Sequence, residues 1–249
     1  MKSSKMSTSS MILHTIHTTA PVLVVLVDPD KDYYRALFPY LPLVDMVFVG
    51  GSTGGNVDVC VAHLRQYTTA PIVLFPGNIQ QFTASVDAVL FLTLLNSRRP
   101  EVLIDPHLES AMAIYQSGVE VIPMGYVLVD GEHRSSVEIV SNCTPLSRND
   151  EDQIVRYSVT AQLLGKQLLY LEAGSGAQTP IPMDAIRAVK QNINIPLIVG
   201  GGIRTVEQML MAFSAGADVV VIGNHFEQHP EDLPIFIKQK HDICRLIRK

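Results

Sequence analysis

Eight short apolar runs, most without polar–apolar alternation, constrain this chain more than any other feature. They cover residues 22–27, 46–49, 72–75, 88–93, 119–123, 168–171, 197–199 and 219–222. Runs that are apolar at every position suit parallel strands buried on both faces. Helix signals lie between most of them. Residues 56–67 put Val57, Val61 and Leu64 on one face, and 149–164 open with Asn149-Asp150-Glu151-Asp152. Residues 182–191 start with proline, and 205–215 run from Thr205 to a closing Gly216. Repeated βα units imply a parallel sheet, and eight of them in 249 residues predict a single closed (β/α)8 TIM barrel. Residues 1–20 read as a polar tail and lead-in, and 21–249 as one domain with no internal repeat beyond the βα unit. One interval breaks the rhythm. After residue 93 the helix signal is poor until 108–116, and 125–130 read as an extra extended segment before a long polar surface loop.

Composition narrows the function classes. A chain 47% hydrophobic and 17% charged is globular, and a net charge of −5 without a basic run excludes nucleic acid as the main partner. Cys60, Cys143 and Cys244 show neither metal spacing nor a disulfide framework, which predicts a reducing, cytoplasmic location. The Ser-rich start lacks the apolar core of a signal peptide, and no apolar run approaches the ~20 residues that span a bilayer. Contact with a membrane surface stays open.

In a barrel of this kind the C-terminal strand ends face the active site. The last three runs each stop at a glycine turn: Tyr170-Leu171-Glu172-Ala173-Gly174-Ser175-Gly176, then Gly200-Gly201-Gly202-Ile203-Arg204, then Gly223-Asn224. Glycine lets backbone N–H groups approach an anion closely, so the three turns predict a phosphate cradle. Glu172 is the one carboxylate among them and suits a general base, or else an ion pair with Arg204. Tyr170, two residues earlier, should share its side of the strand, to donate a hydrogen bond or to pack. Asp28 ends the first run and reads as a Mg²⁺ ligand or a turn aspartate. Gly50–Gly55 offers amides and the hydroxyls of Ser52 and Thr53 to a diphosphate or a metal-bound phosphate. Lys31, Thr53 and Asn96 are candidate diphosphate contacts. His107, His133 and His225 lack metal spacing and read as structural or exposed.

Taken in order, these strand ends resemble the signature of the geranylgeranylglyceryl phosphate synthase family, which includes bacterial heptaprenylglyceryl phosphate synthases. The resemblance rests on Asp28-Pro29-Asp30-Lys31, Val49-Gly50-Gly51-Ser52-Thr53, Phe75-Pro76-Gly77, Leu94-Leu95-Asn96-Ser97, the stretch 121–131, Tyr170 to Ala177, Gly200 to Arg204 and Gly223-Asn224. It implies a Mg²⁺-dependent prenyltransferase that joins sn-glycerol 1-phosphate to an all-trans polyprenyl diphosphate such as geranylgeranyl diphosphate. It also implies a barrel in which one outer helix gives way to an extended segment, for which the irregular interval after the fourth run is the candidate place, and a homo-oligomer, dimer or hexamer. By the family pattern Asp28 and Ser52 ligate Mg²⁺. Tyr170, Leu171, Glu172, Ala173, Gly174, Ser175, Gly176, Gly201, Gly202, Gly223 and Asn224 hold the glycerol phosphate, supported by Arg204. The chain departs from some members at Leu26, where they carry a lysine; Lys31 is the candidate substitute. Two rivals remain at this stage: a barrel isomerase or lyase of small sugar phosphates, and a non-catalytic phospholipid-binding barrel. A long apolar groove at the barrel mouth would argue against a sugar-phosphate isomerase.

Overall fold

The computed structural model describes residues 10–51, 56–77 and 81–247. Eight parallel strands close in sequence order: β1 Val22–Val27, β2 Met46–Val49, β3 Ile72–Leu74, β4 Ala88–Leu94, β5 Glu120–Leu128, β6 Leu168–Glu172, β7 Leu197–Gly200 and β8 Val219–Ile222. Closure comes from β1 on β8, with Val22 opposite Val219 and Val25 opposite Ile222. Alternation sorts each uniformly apolar strand into two cores. Val24, Phe48, Leu90, Met124 and Ile198 fill the barrel, while Val25, Val47, Val127 and Val199 meet the outer layer.

The helices are α1 Met11–Thr19, α2 Val57–Leu64, α3 Pro100–Leu103, α4 Asp105–Ser117, α5 Ser136–Ser141, α6 Glu151–Leu163, α7 Met183–Asn192, α8 Val206–Ala215, α9 Asn224–Gln228 and α10 Leu233–Ile247. Half of them start where a polar side chain caps them, among these Asn56 on α2, Asp150 on α6, and Thr205 on α8 with Gln208 completing a capping box.

Three expectations change. The lead-in is not all tail, because residues 11–19 form α1. Ile12 and Ile16 of α1 are buried in the barrel interior, and Glu120 of β5 accepts from the Met11 N–H at 3.1 Å. Residues 125–130 are no extra segment. Gly125 to Leu128 continue β5, which pairs with β6 as far as Leu128–Glu172, and the loop after it contains α5. The gap in the helical layer lies after β3, not after β4. Among the described residues of 75–87 none is α-helical, while α3 and α4 follow β4.

A repeat above the βα unit emerges at the N-terminal ends of the strands. Asp45, Asp87 and Asp218 stand directly before β2, β4 and β8. Each accepts from an N–H of the preceding odd-numbered strand: Leu23 at 2.9 Å, Ile72 at 2.7 Å and Leu197 at 2.7 Å. Each also meets a cation from the helical layer: Lys240 at 2.5 Å, Arg65 at 2.6 Å and Lys190 at 2.5 Å. One short carboxylate thus ties two neighbouring strands to the helical layer, in three of the four odd–even strand pairs.

Candidate active site

One cavity of about 740 Å³ opens at the C-terminal ends of the strands. On one side it is walled by the turns after β6, β7 and β8, through Gly174, Ser175, Gly176, Gly201, Gly202 and Asn224. Arg204 binds the first two of these turns together, donating to the carbonyls of Ala177 at 2.5 Å, Gln178 at 3.2 Å and Gly202 at 3.2 Å. Ser175 Oγ reaches Asn224 Oδ1 at 3.3 Å and ties the first turn to the third. Arg204 therefore supports the cradle, and its guanidinium forms no ion pair with Glu172.

Glu172 ends β6 with only 7% of its surface exposed. Its partners are neutral: the Gly174 N–H donates to Oε1 at 2.7 Å, and the Tyr170 hydroxyl donates to the carboxylate. Burial raises the Glu172 pKa above the ordinary carboxylate range, although both hydrogen bonds pull the other way. Tyr170 is fully buried, its ring 5.6 Å from Phe75 and 5.3 Å from Tyr126, and burial beside Glu172 pushes its phenol well above the usual value. Gly201 is required here. Its φ is +82°, and a Cβ at that position would collide with Glu172 Oε1 and crowd the Gly174 N–H.

Two residues of the same turn do not face the cavity. Leu171 and Ala173 alternate with Tyr170 and Glu172, so their side chains pack in the outer core and present nothing to a ligand. Asn96 lies outside the cavity lining as well. It is buried, donates to the carbonyls of Leu128 at 2.9 Å and Thr144 at 3.2 Å, and accepts from the Leu128 N–H at 2.8 Å. Its amide joins the ends of β4 and β5 and is not left for a diphosphate.

Across the mouth, Asp28 lines the cavity at the end of β1. Its Oδ1 accepts from the Asp30 N–H at 3.0 Å, and Oδ2 lies 3.6 Å from Lys31 Nζ. Gly51 lets β2's turn come against it, since a Cβ there would collide with Oδ1. Ser52 and Thr53 lie outside the described residues. Lys31 Nζ also donates to Glu227 at 2.9 and 3.1 Å. Burial alone would lower the Lys31 pKa, but Glu227 and Asp28 outweigh it and raise it. Among the described residues no group of three or more His, Cys, Asp or Glu side chains could hold a metal. Asp28 as a single carboxylate donor suits Mg²⁺ shared with phosphate oxygens, because that ion is commonly held by one or two carboxylates plus phosphate and water.

From the mouth the cavity continues through the gap after β3. There the outward-facing Leu74, Val89 and Phe91 meet Ser110 and Ile114 of α4, giving an apolar groove. His107 closes its upper end structurally, its ring nitrogens 2.8 Å from the Leu103 carbonyl and 2.7 Å from that of Leu92. His225 is tied to Asp232 at 3.0 Å, and exposed His133 lies against Gly176. Sequence reasoning missed Gln81 and Glu227. Gln81 is buried, donates to the Gly51 carbonyl at 2.8 Å and accepts from the Gly77 N–H at 2.7 Å. A single Gln in an irregular stretch carries no motif, and Glu227 sits beyond the glycine turn that drew attention.

The sequence profile of the PcrB family matches residues 16–240. The chain belongs to that family. The relatives bear out the resemblance read from the strand ends. A geranylgeranylglyceryl phosphate synthase of Zunongwangia profunda is 43% identical over 212 residues, 83% of this chain and 91% of that one. One of Thermococcus kodakarensis is 40% identical over 188 residues, 74% of each chain. The crystal structure of (S)-3-O-geranylgeranylglyceryl phosphate synthase from Thermoplasma acidophilum, in complex with substrate sn-glycerol-1-phosphate, superposes with a TM-score of 0.85. It is 30% identical and covers 93% of this chain and 98% of that one. An N-acetylmannosamine-6-phosphate 2-epimerase from Clostridium perfringens, TM-score 0.56 at 12% identity, shares the barrel fold alone. Among the described residues no helix is long and apolar enough to cross a membrane.

Proposed function

We propose that this cavity joins sn-glycerol 1-phosphate to a polyprenyl diphosphate, geranylgeranyl diphosphate foremost, and releases inorganic diphosphate. One observation carries the reading. A buried carboxylate with only neutral partners, Glu172, lines one cavity that joins a glycine-lined cradle to an apolar groove in the gap of the helical layer. The names of the relatives support the prenyl acceptor and donor.

Glycerol phosphate is anchored by its phosphate at Gly174–Gly176, Gly201-Gly202 and Gly223-Asn224, with its far hydroxyl toward Glu172. The hydroxyl oxygen bonds to the allylic carbon as the bond from that carbon to the diphosphate oxygen breaks. The hydroxyl proton passes to Glu172, and the diphosphate leaves with the bonding pair. A carboxylate whose pKa is raised by burial is a better base than an exposed one. Tyr170 acts through Glu172 by fixing its orientation. Holding both substrates in line supplies much of the acceleration. The prenyl tail occupies the groove past Phe91 toward Ile114, where each buried CH₂ contributes roughly 0.8 kcal/mol. Asp28, with Ser52, would hold Mg²⁺, which supplies charge neutralisation on the diphosphate. The reading carries with it a cytoplasmic location, a homo-oligomer and peripheral contact with the membrane that takes up the product. Exposed Leu108, Met112 and Tyr115 on α4 support the latter two.

Product analysis with sn-glycerol 1-phosphate and C15 to C35 prenyl diphosphates, with Mg²⁺ and after chelation, tests this. An ether-linked prenylglyceryl phosphate that disappears on chelation is expected. No prenylated product from any donor would refute the reading.

A further inference from the structure

Lys31 and Glu227 form a bridge at the cavity rim, between the ends of the adjacent β1 and β8, that none of the motifs contains. The two residues are 196 positions apart, one after β1 and the other on α9, three residues beyond Asn224. Lys31 Nζ lies 2.9 and 3.1 Å from the two Glu227 oxygens and 3.6 Å from Asp28 Oδ2, and all three residues line the cavity. An ammonium has three donors. The Glu227 contacts are hydrogen bonds, while 3.6 Å to Asp28 is an ion pair beyond strong hydrogen-bond range, which leaves donor capacity facing the cavity. Glu227 has 12% of its side chain exposed. A carboxylate so buried, beside a cavity that takes two phosphorylated substrates, repels both ligands unless it serves to hold a cation.

We infer that Glu227 is a positioning residue: it takes the hydrogen bonds of the Lys31 ammonium, keeps Asp28 at ion-pair distance and aims the ammonium at the diphosphate. Asp28 is thereby kept for Mg²⁺, and the β8–α9 turn that carries Asn224 also sets the diphosphate half of the site. Without the Glu227 charge, Lys31 closes onto Asp28, the nearest remaining carboxylate, and both groups are lost to the ligand. The inference rests on the proposed two-substrate reading and adds to it a residue and a coupling between its halves.

Calorimetric titration with inorganic diphosphate, with and without Mg²⁺, and separately with sn-glycerol 1-phosphate, tests it on four chains: wild type, Glu227→Gln, Lys31→Met and the double swap Lys31→Glu/Glu227→Lys. Both single variants should weaken diphosphate binding roughly fivefold, the scale of a partly exposed charge-assisted contact, with glycerol 1-phosphate affinity held within about twofold. The swap should recover the melting temperature lost in the single variants but not the diphosphate affinity. Diphosphate binding that is unchanged or tighter in Glu227→Gln overturns the inference. So does a swap that recovers affinity together with stability, since the bridge is then only a tether. Should Glu227→Gln fail to fold, Glu227→Asp keeps the charge on a shorter arm. It should raise the KM for the prenyl diphosphate and leave the KM for glycerol 1-phosphate, and equal rises in both overturn the inference. A wild-type chain that forms no prenylated product refutes the two-substrate reading and this inference with it; a wild type that forms product while the variants bind normally refutes this inference alone.

Discussion

At the strand starts, Asp45 accepts a backbone N–H from β1 and pairs with Lys240, of which 2% is exposed; at the strand finishes, Glu172 is as deeply placed but meets only a tyrosine hydroxyl and an amide. Both carboxylates are largely removed from water, and both are hydrogen-bonded. The difference is the counter-charge. A paired aspartate holds two strands and a helix in register and has nothing left to do. An unpaired glutamate is raised in pKa and can take a proton. Asp87 with Arg65 and Asp218 with Lys190 repeat the first pattern, so three such pairs gather at one end of the barrel and Glu172, the carboxylate we propose as base, stands at the other.

Asp45→Asn gives the largest expected effect. It leaves Lys240 buried without its counter-charge, and removing one partner of such a pair typically costs about 3–5 kcal/mol. Denaturant unfolding should show that loss, while turnover per folded molecule stays at the wild-type level. A loss of turnover with unchanged stability would break the division between the two ends. Glu172→Gln should do the reverse, lowering turnover by roughly 10²-fold or more with glycerol 1-phosphate binding retained. Near-normal turnover would remove Glu172 from the base role.

The pH dependence sharpens the same contrast. The folded-state pKa of Glu172 lies above its unfolded value, so the stability linked to its protonated form is complete in acid and is lost as pH rises through the folded value. Glu172→Gln should therefore match wild type in acid and exceed it at neutral pH in thermal unfolding. Turnover of wild type should fall as pH drops through that same raised value, giving an acid limb above the ordinary carboxylate range. An acid limb at or below that range would mean that another group sets it. The smallest effect belongs to Arg65→Met. With the guanidinium 34% and Asp87 27% exposed, the pair should contribute less than about 1 kcal/mol. A larger loss would show that the backbone contact of Asp87 depends on Arg65.

Much of this was legible in the sequence where chemistry is local. Strands buried on both faces betray themselves as unbroken apolar runs, and caps such as Asn56, Asp150 and Thr205 mark helix starts within a residue. The glycine turns after β6, β7 and β8 announced a cradle because close backbone approach demands glycine. Position 96 misled because an amide at a strand end looks alike whether it meets ligand or backbone. Leu171 and Ala173 were included because a motif runs continuously while a strand alternates faces. The extended segment that replaces an outer helix is expected after β4 because the helix signal there is poor until residue 108. Yet α4 forms at 105–117 with only Ser110 and Ile114 of it buried, too thin an apolar face to leave a strong periodic signal.

The sequence by itself determined the barrel, the direction its strand ends face and the residue types gathered at its mouth, because each follows from burial, alternation and backbone freedom within a few residues. Only the tertiary structure decided which of those residues share a partner. Lys31 finds Glu227, Asp45 finds Lys240 and Glu172 finds no cation because barrel closure brings β1 against β8 and aligns residues far apart in the chain. Electrostatics acts over a few ångströms of space, and sequence distance carries no record of it.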